Sequence, residues 1–170
     1  MIRRTLVRGV LMGLLTLAMS PPVDGIGSLS VTSGAYLQNI NAANLQGGAG
    51  TDLTSTYTSA AGATTLDVTG FIILSLPWHI DVRRIDSAWN SSLVLSVRRT
   101  SSGAACGLSL GSSAPTGGDV FQVIATSATT FLNGNGNRCG VGIQYQLSGV
   151  SVQVPPGSYA TTVQYTYVQP

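Results

Sequence analysis

Lysine and glutamate are absent from this chain, and only 8% of its 170 residues are charged. These two residues supply the solvent-facing side of most amphipathic helices, so their absence removes the commonest route to a helical surface. No stretch repeats apolar residues at i, i+3, i+4 and i+7 with good helix formers between them, which argues against a helical domain. One histidine and two cysteines are too few for a metal centre built on either residue type. No G-x-S-x-G elbow occurs, and a serine hydrolase needs such an activated nucleophile. The apolar run Val10–Met19 is too short to span a bilayer.

That run has a better reading as the core of a signal peptide. Arg3, Arg4 and Arg8 precede it, and small residues around Ser20 and Gly25 follow it. A cut near Val23-Asp24-Gly25 divides the chain into a leader, 1–25, and one domain, 26–170. A retained membrane anchor is the competing reading. The Arg3-Arg4 pair lacks the rest of a twin-arginine signal. Without Arg3, Arg4, Arg8 and Asp24, five arginines face five aspartates. A chain so balanced offers no basic field to nucleic acid, and its weak colloidal repulsion favours self-association. In an exported chain Cys106 and Cys139 are expected to form one disulfide, worth about 3–4 kcal/mol by loop entropy. Two free thiols are the alternative.

What the chain does contain is alternation. In SLVLSVRR, Leu93, Leu95 and Val97 take one side against Ser92, Ser96 and Arg98. In WHIDVRRI, Trp78, Ile80 and Val82 oppose His79, Asp81 and Arg83. This is the period of a strand. The two runs, joined by DSAWNS, are expected to pair as a hairpin that gathers His79, Asp81, Arg83 and Arg98 on its outer face. FIILSL (71–76) reads as a fully buried strand; VFQVIA (120–125), IQYQL (143–147), VSVQV (150–154) and SYATTVQYTYV (158–168) follow. Segments near 29–33, 53–58 and 64–68 complete the set. So many short strands between Gly, Asn, Pro and Ser clusters predict an all-β fold, a single antiparallel sandwich.

Several motifs invite chemistry. GGAGTDLT (47–54) resembles one calcium-binding nonapeptide, but that device holds each ion between neighbouring turns of an array, and this is a single copy. A plain loop is expected. NGNGNRC (133–139) is rich in oxygen yet has no carboxylate, so it reads as a hairpin tip. His79 with Asp81 or Asp86 has the ingredients of acid–base chemistry without a nucleophile. Arg83, Arg98 and Asp81 form a solvated face or, on the sharper reading, a ligand patch. Trp78 belongs to the core; Trp89, in a loop, is the candidate for an exposed contact.

The ending GVSVQVPPGSYATTVQYTYVQP resembles that of exported bacterial β-sandwich proteins: the spore coat protein U-like and chaperone–usher pilin families and, more distantly, WxL-type domains. The matching residues are Gly157, Tyr159, Val163, Tyr165 and Tyr167. Gln169 stands where the pilin pattern has an aromatic residue, and the two W-x-L signatures are absent. The resemblance implies an immunoglobulin-like sandwich of surface or fibre type, with 26–40 able in principle to serve a neighbour as a donor strand. Together these readings predict a non-enzymatic structural protein of the cell surface, without cofactor or metal. Its partners would be further copies, or other surface proteins or glycans, with no nucleic acid and no membrane span after leader removal. The rival is a monomeric binding module for glycan or protein, acting through loops near Trp89 or the Cys106/Cys139 end. A secreted hydrolase is the outside reading.

Overall fold

A computed structural model describes residues 27–33, 35–72, 75–108 and 110–170, together with the backbone of Leu15–Thr16. The expected leader 1–25 otherwise lies outside the described residues. Among the described residues twelve strands are present: β1 (Leu15–Thr16), β2 (Ser28–Ser33), β3 (Thr56–Thr58), β4 (Thr64–Thr69), β5 (Pro77–Ala88), β6 (Val94–Arg99), β7 (Ala104–Ala105), β8 (Ser113–Thr116), β9 (Gln122–Val123), β10 (Thr129–Asn135), β11 (Arg138–Ser148) and β12 (Ala160–Val168). A single 3₁₀ turn, Ala42–Asn44, is the only helical element among the described residues.

The strands form two sheets, ordered β1-β12-β5-β10-β8 and β2-β4-β11-β6-β9. Every pairing is antiparallel except that of β1 with β12. β11 is the spine of the second sheet, flanked by β4 and β3 along one edge and by β6 and β7 along the other. The segment 28–33 is this domain's own strand, paired with β4 from Ser28↔Thr69 to Ser33↔Thr64. The expected all-β sandwich is therefore the observed fold.

Alternation explains the core. Trp78, Ile80, Val82, Val163 and Tyr165 from the first sheet meet Leu66, Val68, Leu95, Val97, Val141, Ile143 and Tyr145 from the second. Burying a side chain of this size is worth roughly 1.5–3 kcal/mol. A smaller cluster of Ile40, Leu93, Leu147 and Val150 closes one end. Both clusters fall between Leu29 and Tyr167.

One expected pairing and three expected strands differ. WHIDVRRI and SLVLSVRR are strands, but β5 and β6 lie in opposite sheets. Their connection is an arch across the core, tightened by Leu93 N–H donating to the Asn90 carbonyl at 3.0 Å. Two aligned apolar faces can share a sheet or face each other, and alternation alone does not distinguish the two. The described residues of FIILSL, 71, 72, 75 and 76, belong to no strand. Its residues 73–74 lie outside the described set, Phe71 is buried and Ile72 is exposed. The buried Asn137 amide satisfies the Phe71 N–H (3.0 Å) and C=O (2.7 Å), replacing a strand partner. VSVQV contributes a tight turn, with Val154 N–H donating to the Ser151 carbonyl at 3.0 Å. VFQVIA is reduced to the two-residue β9.

One polar contact crosses the core. The Tyr145 hydroxyl donates to Thr64 Oγ1 at 3.1 Å and sits 2.9 Å from the Tyr165 hydroxyl. A phenol has one proton, so Tyr165 donates to Tyr145. Burial raises both hydroxyl pKa values above the usual 10, and for Tyr165 the Tyr145 hydroxyl adds to the effect. Tyr145→Phe leaves two groups without their partner and should cost about 1–3 kcal/mol; Tyr165→Phe leaves one and should cost about 1 kcal/mol. Urea denaturation of 26–170 measures the difference, and equal costs would contradict this hydrogen-bond direction. Above about pH 10 the unfolded chain releases protons that the fold retains, so stability should fall with rising pH, less steeply in the Phe variants.

Candidate functional site

The expected patch on one outer face is divided by the sandwich. His79, Asp81 and Arg83 lie on β5, whereas Arg98 lies on β6 in the other sheet. Arg98 donates through Nε to Gln144 (2.8 Å) and stacks over Phe121 at 4.7 Å. Arg83 donates to Gln164 at 2.6 Å across the β5–β12 pair. The gathering of these four residues is thus corrected: each arginine is tied to glutamine in its own sheet.

His79 and Asp81 do share a face, with His79 Nε2 3.6 Å from Asp81 Oδ1. A hydroxyl, Thr130 Oγ1, donates to Asp81 Oδ1 at 2.9 Å. The carboxylate therefore stands between hydroxyl and imidazole, whereas a hydrolytic triad requires the imidazole in the middle to take the hydroxyl proton. Asp86, the other carboxylate near His79 in sequence, pairs with Arg84 and accepts from Thr161 Oγ1 at 2.8 Å.

Trp89 is half-buried rather than free. It packs against both apolar clusters, donates Nε1–H to the Leu93 carbonyl at 3.0 Å and carries Arg84 over its ring at 5.5 Å. Arg84 continues the inward side of β5 past the end of the core, where its Nε reaches the Ile124 carbonyl at 3.0 Å. It closes the gap between sheets, a role the spacing Arg84-x-Asp86 could have signalled.

GGAGTDLT is answered by Asp52. Its Oδ1 accepts from the backbone N–H of Leu53 (2.7 Å) and Val152 (2.8 Å), and its Oδ2 from Ser151 Oγ (3.1 Å). The carboxylate clasps two loops, with its oxygens already engaged. The N–H of Val152, then that of Leu53, and less strongly the Ser151 hydroxyl hold its pKa below the usual carboxylate range. NGNGN is not a hairpin tip, because β10 and β11 lie in opposite sheets. Its glycines serve Trp78. A Cβ on Gly134 would lie 2.2 Å from the indole, and Gly136, at φ 65°, presents its carbonyl to Trp78 Nε1 at 2.8 Å.

At the far end of β11, Cys106 and Cys139 form a disulfide with Cα atoms 5.9 Å apart, spanning 33 residues. It pins the 100–118 excursion beside β7, where Arg138 donates to the Ser102 (2.8 Å) and Gly103 (3.0 Å) carbonyls. Leu108 and Leu110, two and four residues after Cys106, are 79% and 74% exposed, and Ile72 is 70% exposed. The C-terminal motif is structural. Val163 and Tyr165 are buried, Tyr167 packs on the main core, and Tyr159 packs on the smaller cluster with its hydroxyl donating to Pro155 at 2.6 Å, beside Gly157.

These features define a disulfide-tied antiparallel β-sandwich whose charged side chains bind its own loops and strands. No family model matches the chain, and no curated protein matches it. No helix among the described residues is long and apolar enough to cross a membrane, and no group of three or more His, Cys, Asp or Glu side chains assembles there.

Two measurements check these assignments. Cys106→Ser/Cys139→Ser should lower unfolding free energy by about 3–4 kcal/mol at unchanged fold. Asp52→Asn should speed amide exchange at 151–154 at pH 7. In the wild type the clasp is complete above about pH 4 and is lost as pH falls through the depressed pKa, so the two proteins should converge in acid.

Proposed function

We propose that this protein is an exported, non-enzymatic structural subunit of the bacterial cell surface, such as a building block of a coat, fibre or matrix. The observation that carries this reading is the use made of its scarce charge. All five arginines after residue 25 bond to the protein's own backbone or side chains, and Asp52, Asp67, Asp81 and Asp86 likewise accept hydrogen bonds. A catalytic site keeps titratable groups available to substrate, whereas here they join strands and loops. The disulfide supports an oxidising compartment. The resemblance of Gly157, Tyr159, Val163, Tyr165 and Tyr167 to coat protein U-like and pilin endings points the same way.

A second reading, a binding module, draws on one observation. Leu108 and Leu110, close to Cys106 in the chain, and Ile72 are exposed aliphatic side chains, suited to an apolar protein partner. Trp89, at the opposite end of β11, is engaged internally.

The deciding measurement is the mass of residues 26–170, produced with the disulfide formed, by size-exclusion chromatography with light scattering over a range of concentrations. A structural subunit should exceed the monomer mass as concentration rises. A monomer throughout would overturn self-assembly and favour the binding module.

A further inference from the structure

The arch between β5 and β6 carries the one N-x-S/T triplet of the chain, Asn90-Ser91-Ser92. Such a triplet is the acceptor of N-linked glycans in exported proteins, and it needs a surface loop. The fold supplies one. β5 ends at Ala88 and β6 starts at Val94, so the triplet lies between strands rather than in a ladder. From Ile85 to Ser92 every residue is exposed or half-buried; Asn90 is half-buried, and Ser91 and Ser92 are exposed.

The arch also holds the triplet in a defined shape. Asn90 Oδ1 accepts from the Ser92 N–H at 2.9 Å, closing an Asx turn, and the Asn90 carbonyl accepts from the Leu93 N–H at 3.0 Å. The side-chain amide is therefore tied by its oxygen. Among the described residues, neither its nitrogen Nδ2 nor the Ser92 hydroxyl has a hydrogen-bond partner. Trp89, packed on both apolar clusters, braces the turn by donating to the Leu93 carbonyl at 3.0 Å. A substituent on Nδ2 thus breaks no hydrogen bond of the fold.

We propose that Asn90 is a glycosylation site, its donor an oligosaccharide carried on a lipid pyrophosphate and transferred by an enzyme of the exporting cell. Asn90 Nδ2 bonds to the anomeric carbon of the first sugar. That carbon's bond to the pyrophosphate oxygen breaks, the lipid pyrophosphate leaves with the bonding pair, and one amide proton is released. Ser92 is a positioning residue, its hydroxyl being the part of the triplet that the transferase reads. The place on the sandwich is specific. Val94 pairs with Ser148 at one end of β11, and Ala104 pairs with Cys139 near the other. Nine residues of strand separate those points by about 30 Å. A glycan on Asn90 would cover the arch and leave the disulfide end clear. The site requires export but is independent of the subunit reading.

The test uses the full chain, folded with its disulfide formed. It is incubated with a single-subunit oligosaccharyltransferase of N-x-S/T specificity and its lipid-pyrophosphate-linked oligosaccharide, and read by intact mass. The wild type should gain one oligosaccharide, Ser92→Thr should gain it too, and Ser92→Ala and Asn90→Gln should gain none. Ser92→Ala keeps the backbone N–H that closes the Asx turn, so the test stands even if Asn90→Gln fails to fold. A synthetic peptide of residues 86–96 serves as the unfolded control. A modified peptide with an unmodified folded chain would show that the fold withholds Asn90, and overturns the proposal. So does failure of both, which denies the triplet as an acceptor, or a mass gain that persists in Ser92→Ala.

Discussion

The sandwich depends on a hydroxyl pair at its centre. Tyr145 stands on β11, the spine of one sheet, and Tyr165 on β12 of the other; their oxygens meet at 2.9 Å with Thr64 beside them. Apolar packing is tolerant of small slips, because one valine contact replaces another at little cost. A buried hydroxyl is not tolerant, since losing its partner costs about 1–3 kcal/mol. Sliding either strand by one repeat would set a phenol against Val163, Ile143 or Leu147. The polar contact therefore fixes how the two sheets lie upon one another, and the neighbouring rings of Tyr36 and Phe131 pack around it.

The second organising fact is that the chain crosses between sheets at almost every connection. β4 to β5, β5 to β6, β10 to β11 and β11 to β12 are all arches rather than hairpins. An arch has no ladder partner for its backbone, so other groups must satisfy it. This is where the rare polar side chains are placed. Asn137 serves Phe71, Arg84 reaches Ile124, Arg99 reaches Gly117, and Asp52 holds the turn at 151–152. The scarce ionic groups and the many arches belong together, because most of those groups are tied to the fold's own loops and strands.

Much of the architecture was legible in the residues. The period-2 runs of β4, β5, β6, β11 and β12 name both the strands and their inward side chains, and the pairing of Cys106 with Cys139 was expected from there being two cysteines in a chain read as exported. The candidate site was far less legible. His79, Asp81, Arg83 and Arg98 were expected together because their strands were expected to pair. The error lies in one step, from shared alternation to shared sheet. Asp52 and Asn137 gave no local sign of their roles, because Val152 and Phe71, which they serve, lie 100 and 66 residues away.

The amino-acid sequence by itself determined the fold class, the core-facing residues and the near-neutral balance of charge after residue 25. Each is a property of local pattern or of composition, and neither depends on which strand lies beside which. Only the tertiary structure decided that β5 and β6 lie in opposite sheets, that β10 and β11 do too, and that VSVQV turns rather than extends. Those outcomes rest on contacts between residues far apart in the chain. Alternation specifies an inward side but is silent on the partner, and only the closing of the core selects one.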